Sequence, residues 1–278
     1  MNTATPPIAF DSSRAWSEAA TAVSANRDTL LALAGVFLVL PAFAMAVLIP
    51  PPEPQTGADM QAILATMGEY YRTNSLLLIV AALIHMIGSL AMLALITDQT
   101  RPTVGQAIKQ GFSNTPSVIA AQLLLGMAIG AMVLLPVALG GALKSPVITG
   151  LSLIAAIGLG VWAAVRLSLV SPAVVVDRLT NPLGALKRSW QLTEGNVLRL
   201  LAFFALLSIA FLVVIALAES AIRFGLTLLV GATSAELGAA LVTSIMSAVM
   251  TVYFIAVTAM AHRQLAGQAV PEVASTFN

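Results

Sequence analysis

Long uncharged runs of alanine, leucine, valine and isoleucine alternate along this chain with short polar segments. A helix needs about 20 mostly apolar residues to cross the hydrocarbon core of a bilayer. Six runs meet this length, and we place them at about residues 29–49, 75–97, 116–139, 147–166, 197–218 and 235–261. The short alternating pattern of a membrane β-barrel is not followed. The sequence therefore predicts an all-α integral membrane fold with six transmembrane helices.

Polar segments before the first, third and fifth spans have apolar residues at helical spacing, which predicts three short interfacial amphipathic helices. They cover about residues 10–26, 104–115 and 181–195. Asp11 or Ser12 could cap the first of them. A further amphipathic segment, residues 60–71, precedes the second span, and Pro41 predicts a kink in the first span.

The helix predicted at residues 181–195 has clear start and stop signals. Asn181 and Pro182 form a favourable N-cap and first-turn pair, and Gly195 is placed to end the helix. The spacing predicts an acyl-chain face with Leu183, Leu186 and Trp190, and a water or headgroup face with Lys187, Arg188, Gln191 and Glu194.

The second and third short helices share a spacing of residue types at an offset of 78 residues. The matched sets are Ala107, Ile108, Lys109, Phe112 and Thr115 against Ala185, Leu186, Lys187, Trp190 and Thr193. A unit of one interfacial helix plus two spans, used three times, would explain this pseudo-repeat. Small residues four apart, Gly126 and Gly130 in span three and Ser152, Ala156 and Gly160 in span four, either allow close helix packing or arise by chance.

Composition supports the membrane assignment and narrows the chemistry. Hydrophobic residues make up 59% of the 278 residues and charged residues only 9%, whereas soluble domains carry about 25% charged residues. Cysteine is absent and only His85 and His262 are present, which argues against disulfides, thiolate chemistry, a metal site and a cofactor. A net charge of +1 gives no reason to expect nucleic acid as a partner.

The basic residues predict the orientation. Six spans place ten of them on one face and three on the other. The ten are Arg14, Arg27, Arg101, Lys109, Arg166, Arg178, Lys187, Arg188, Arg199 and Arg263, and the three are Arg72, Lys144 and Arg223. Because cytoplasmic loops are enriched in lysine and arginine, both termini are predicted to be cytoplasmic. The predicted organisation is a cytoplasmic segment (1–28), a transmembrane domain (29–262) and a cytoplasmic tail (263–278).

Polar residues within or beside the spans are the candidate site residues. Arg166 must snorkel, pair or line a polar cavity, and with Ser171 and the Pro172 kink it could form a headgroup pocket. Arg178, Lys187, Arg188 and Trp190 complete this candidate lipid site. His85 could be a proton relay or ligand, or a neutral histidine hydrogen-bonded to a neighbouring helix, and Gln122 could bond across helices or line a path.

The segment 166–201 contains R-x-S-L-x-S-P followed by D-R-x-x-N-P-x-x-A-L-K-R-S-W-x-L-T-x-G-N-x-x-R. It resembles the membrane domain associated with glycerophosphoryl diester phosphodiesterases and the related YciC-type bacterial inner-membrane proteins. The resemblance implies a six-span protein of the bacterial inner membrane whose relatives often lack a catalytic domain. A phosphodiesterase barrel of about 250 residues has no room in this chain.

These observations favour a non-catalytic protein that handles lipid or maintains the envelope. Its predicted partners are membrane phospholipids, contacted by the cytoplasmic basic helices, with a homo-oligomer or a membrane protein as further partners. No set of nucleophile, base and acid residues supports an enzyme. Two alternatives remain open: a small-solute transporter or channel, and a scaffold or assembly factor.

Overall fold

The computed structural model describes residues 9–52, 57, 59–98 and 102–267. The helices within those residues are α1 (Ser12–Ala25), α2 (Arg27–Ala34), a π-helical turn (Gly35–Val39), α3 (Leu40–Leu48), α4 (Met60–Thr97), α5 (Val104–Ala142), α6 (Pro146–Arg166), α7 (Val170–Val175), α8 (Pro182–Leu192), α9 (Val197–Val230) and α10 (Ala232–Leu265). The described residues contain no strand. Arg101 and the predicted terminal residues 1–8 and 268–278 lie outside them.

Six helical segments are long and apolar enough to cross a membrane, so the predicted all-α membrane fold is confirmed. They are Arg27–Leu48, Gln61–Thr97, Val104–Ala142, Val147–Val175, Val197–Leu229 and Ser234–Leu265. Each contains one predicted span. Gln61–Thr97 and Val104–Ala142 begin well before their predicted spans because the preceding amphipathic segments continue into the same helices.

The prediction of a separate short helix at residues 104–115 is wrong. These residues form the first turns of α5, which passes through Pro116 without a break. Thr103 caps the helix start by accepting a hydrogen bond from the Gln106 amide. In the turn before the proline, the Thr115 hydroxyl donates to the Gly111 carbonyl at 2.8 Å. Transmembrane helices tolerate proline because local adjustments and neighbouring groups can satisfy the freed carbonyl.

The other local signals have clear structural outcomes. Asp11 caps α1 and Asn181 caps α8, each accepting a backbone hydrogen bond at 3.0 Å. The helix α8 ends at Leu192, and Gly195 adopts a positive φ of 76° in the turn that leads into α9. The first span changes to a π-helical turn just before Pro41, a residue that cannot donate to an α-helical carbonyl.

The buried core lies at one end of the bundle. It joins α1, α2 and the π-helical turn, the C-terminal halves of α4 and α10, the N-terminal halves of α5 and α9, and the short helices α7 and α8. The opposite halves of α5, α6 and α9 expose large apolar side chains such as Leu135, Leu151 and Leu229. Such surfaces suit contact with lipid, because the bilayer replaces a protein core for these helices.

Positions matched by the predicted repeat have similar surroundings. Ala107 and Ala185 are both fully buried, and Lys109 and Lys187 are both exposed. The helices around them differ, however, because residues 104–115 continue into a span whereas α8 stops before α9 begins. The repeat and the interfacial position of the short helices stay predictions.

Candidate functional site

The fourth span is broken between α6 and α7, and α8 binds the backbone at the break. Pro172 disfavours a continuous helix because it has no amide hydrogen and its ring clashes with the carbonyl four residues earlier. The Leu169 amide donates to the Ser189 hydroxyl at 3.2 Å, and that hydroxyl donates to the Arg166 carbonyl at 2.8 Å. The Thr193 hydroxyl also lies 3.2 Å from the Arg166 carbonyl. Side chains of α8 therefore provide partners for backbone groups that the break exposes.

Arg166 lies between two tryptophans and pairs with backbone. Its guanidinium carbon is 4.5 Å from the centre of the Trp190 ring and 5.5 Å from that of Trp162. One guanidinium nitrogen donates to the Trp190 carbonyl at 2.9 Å. Its Nε is buried and has no hydrogen-bond partner among the described residues. Cation–π contacts and the hydrogen bond to the Trp190 carbonyl connect α6 to α8.

Asp177, in the loop before α8, connects α8 to α10. One carboxylate oxygen accepts a hydrogen bond from Arg188 Nε at 2.8 Å and lies 3.2 Å from His262 Nε2. His262 is buried and the Asp177 side chain is mostly buried. Arg188, predicted to face headgroups, is therefore engaged in an internal ion pair.

The first helix is fastened to the same end of the bundle. Glu18 accepts hydrogen bonds from Arg14 at 2.8 Å and Arg263 at 2.7 Å. Partial burial raises the pKa of the Glu18 carboxyl, but the hydrogen bonds and charges of these arginines lower it by more, so this pKa is below its ordinary value. The contribution to stability is therefore present at neutral pH and is lost as the pH falls through the lowered pKa. The Phe10 amide also donates to the Asn196 side chain, between α8 and α9.

Four exposed cations remain around this end. They are Lys109, Arg178, Lys187 and Arg199. None of them forms an ion pair with another described residue. Arg178 has a positive φ of 54°, which places it at the sharp turn that leads to α8. These four side chains, here called the basic rim, are free to meet an external anion.

Two neighbouring cavities lie among the spans, and Ser89, Leu90 and Ser171 line both. The first, about 560 Å³, is bounded by the first span, α4, α5 and α7. The second, about 470 Å³, is bounded by α4, the segment 168–171, α9 and α10. His85 and Gln122 line the first cavity. Ser171, predicted to sit beside Arg166, therefore lies with the two intramembrane polar residues.

Several cavity-lining polar side chains make no hydrogen bond with any described residue. This set, here called the cavity polar set, comprises His85, Ser89, Gln122, Ser171 and Ser208. The Ser89 hydroxyl oxygen is fully buried. By contrast, the hydroxyls of Thr251 and Thr258, which line the second cavity, donate to carbonyls of their own helix. Within the described part of the chain, His85 has no hydrogen-bond partner on a neighbouring helix, which was one of the two alternatives predicted for it.

Sequence reasoning identified the segment 166–199 but missed residues that organise it. Asp177, Ser189 and His262 have ordinary sequence surroundings, and only the fold brings them to Arg166 and Arg188. Ser89 lies one turn after His85, a spacing that could have drawn attention to it. Predicted residues thus separate into residues at the broken span and on α8 (Arg166, Pro172, Arg188, Trp190), exposed cations (Arg178, Lys187) and cavity residues (His85, Gln122, Ser171).

Among the described residues, no three His, Asp or Glu side chains are grouped closely enough to hold a metal ion. Comparison of the chain with protein-family models, curated proteins and solved structures finds no match. The resemblance carried by residues 166–201 therefore stays a prediction.

Proposed function

We propose that this chain is a non-catalytic lipid-handling protein of a bacterial inner membrane, which engages anionic phospholipid headgroups through its basic rim. The observation that carries the proposal is that some of its cations are paired within the protein whereas others are exposed. Arg166 and Arg188 have internal partners, whereas the rim residues are exposed at the end of the bundle where α1 and α8 are fastened. Cations near an anionic leaflet gain about 1 kcal/mol each.

The internal contacts hold in place the part of the rim on α8 and the loop before it, Lys187 and Arg178. α8 is connected to α6 through Arg166 and to α10 through Asp177, while α1 is connected to α10 through Glu18. A rim on a fixed framework loses little conformational entropy when a headgroup binds, which favours binding. The excess of basic residues near this end supports a cytoplasmic orientation.

The rim predicts a specific change in lipid retention. The triple variant Lys109→Gln, Arg178→Gln and Lys187→Gln should bind phosphatidylglycerol roughly tenfold more weakly, because screening reduces the summed contribution of three charges. Native mass spectrometry of the purified protein, titrated with phosphatidylglycerol in mixed micelles, measures the change.

The matched control neutralises three cations at the other end of the spans: Arg72→Gln, Lys144→Gln and Arg223→Gln. It should leave phosphatidylglycerol binding unchanged. Equal losses in both triple variants would refute a rim-specific site, as would unchanged binding in the rim variant.

A reporter tests the orientation. Alkaline phosphatase is active only outside the cytoplasm, and green fluorescent protein matures inside it. Fused after Asn278, the first should be inactive and the second fluorescent, because an even number of spans returns the chain to the cytoplasmic side where it began. An active phosphatase fusion would contradict the proposed orientation.

A small-solute transporter is the second candidate, and the broken fourth span favours it. Transporter sites are commonly built where a discontinuous helix meets polar groups near the middle of the membrane. The segment from Ser168 to Ser171 follows such a break and lines the second cavity, which adjoins the first.

A further inference from the structure

We propose that the paired cavities bind an uncharged amphiphile that enters from the bilayer, a diacylglycerol-like neutral lipid whose polar group bonds to the cavity polar set. This site uses none of the rim residues. It goes beyond headgroup contact, and the two proposals can fail separately.

The cavities lie deep within the membrane. Twelve residues separate His85 from the end of α4 at Thr97, which corresponds to about 18 Å along a helix. The hydrocarbon core of a bilayer is about 30 Å thick. A span that ends at the membrane surface therefore holds His85 near the middle of the hydrocarbon, with Ser89 one turn closer to the rim.

The cavity polar set needs hydrogen-bond partners. At this depth water does not satisfy a lipid-facing hydroxyl, amide or imidazole, and an unpaired polar group costs several kcal/mol in hydrocarbon. Five side chains from four helical segments line the two adjoining cavities without a partner among the described residues. Helix-to-helix bonding would have used them, so their arrangement indicates a ligand that donates and accepts hydrogen bonds.

The lining of the cavities favours an uncharged ligand. Neither cavity is lined by a lysine, arginine, aspartate or glutamate. A phosphate, carboxylate or ammonium placed here would lie in a low-dielectric region without a counter-charge, which is strongly unfavourable. A hydroxyl or ester group has no such penalty.

The first cavity opens on the surface of the spans, which gives a ligand a route of entry from the bilayer. His85, Gln122, Ala42 and Ala82 line the first cavity and are exposed on the surface of the spans. At this depth that surface meets acyl chains. Most of the remaining lining is apolar, including Leu38, Met45 and Met86. A molecule with a small polar group on hydrocarbon chains matches both the opening and the lining, and each cavity has the size of an ordinary ligand pocket.

The test uses a diacylglycerol with a photoactivatable diazirine near its glycerol group, in phosphatidylcholine nanodiscs that contain the full-length protein. Illumination should label peptides from α4, α5 and α7. Unlabelled diacylglycerol should compete, and phosphatidylglycerol should not. The double variant Ser89→Leu, Ser171→Leu should bind the probe roughly tenfold more weakly, because it removes two hydrogen-bonding groups and fills the space where the cavities meet.

The matched control is Ser152→Leu, a span-four substitution that lines neither cavity. It should label like the parent protein. Because two leucines could disturb folding, Ser89→Ala with Ser171→Ala serves as a milder variant, and every variant must elute as a single species at the parent's volume. The alanine double variant should also weaken labelling, by roughly half of the change in the logarithm of affinity that is expected for the leucine double variant.

Three results would overturn the proposal. Labelling spread evenly over lipid-facing helices would show bulk contact only. Equal competition by phosphatidylglycerol would show that charge is not excluded. Absent labelling, together with glycerol uptake into proteoliposomes that the double variant blocks, would assign the cavities to a water-soluble solute and favour the transporter. None of these results concerns the rim variants.

Discussion

Ser189→Ala should lower the free energy of unfolding by about 2 kcal/mol. The Ser189 hydroxyl is fully buried, accepts from the Leu169 amide and donates to the Arg166 carbonyl. Alanine removes one oxygen and leaves the Leu169 amide without its partner. Thr193 can still donate to the carbonyl, which limits the loss. Titration with sodium dodecyl sulfate in mixed micelles measures the unfolding free energy.

Ser24→Ala is the matched control for this variant. Its hydroxyl lies on the exposed face of α1 and donates to a carbonyl of the same helix at 2.9 Å. Removing it leaves no buried donor, so unfolding should change by no more than about 0.5 kcal/mol. Hydrogen exchange adds a local readout, since the Leu169 amide should exchange faster only in Ser189→Ala. Equal losses in the two variants would contradict the proposed role of Ser189.

The pairing at the broken span explains why α8 is both amphipathic and firmly attached. Its packed face holds Ala185, Ser189 and Leu192, whereas the spacing of Leu183, Leu186 and Trp190 had predicted an acyl-chain face. Leu183 is exposed and Trp190 is partly exposed while its ring meets Arg166, but Leu186 packs against the buried core, so the acyl-chain face stays a prediction. The spacing of large apolar residues pointed to the side of α8 that carries the exposed Leu183. The side that packs against the broken span has small residues, and these give no hydrophobic signal in the sequence.

The elements that sequence predicted well depend on local physics. Six apolar runs, the caps at Asp11 and Asn181 and the disturbance near Pro172 each follow from a few neighbouring residues. The separate helix at 104–115 was wrongly predicted because Pro116 was taken as a boundary. A proline is tolerated within a membrane helix when its surroundings satisfy the freed groups, and the local sequence does not predict whether they do.

The candidate sites were less predictable because they combine distant segments. Asp177 and His262 are separated by 85 residues and meet at 3.2 Å. Ser171 was assigned to Arg166 by proximity in sequence, whereas the turn between α6 and α7 brings it to the cavity shared with His85. Residue types at these positions indicate polarity within a membrane, but helix packing decides which groups share a cavity.

Helix packing also decides which glycines matter. Gly126 and Gly130 have the spacing associated with close helix contact, yet a Cβ atom at either position would meet nothing within 4 Å. At Gly111 it would lie 2.5 Å from the Ile87 carbonyl oxygen and 2.9 Å from the Ala91 amide nitrogen. The contact between α4 and α5 therefore depends on a glycine outside the GxxxG pair, in a series of small residues four apart with Ala107 and Thr115.

Gly111→Ala should consequently lower the free energy of unfolding by roughly 1 to 3 kcal/mol, because backbone atoms of α4 must move to admit the methyl group. Gly126→Ala, in the same helix, is the matched control. It should be neutral or stabilise by up to about 1 kcal/mol, since alanine favours helix and meets no neighbour. Titration with sodium dodecyl sulfate distinguishes the two signs. A lower free energy of unfolding in Gly126→Ala, with no change in Gly111→Ala, would instead place the close helix contact at Gly126 and Gly130.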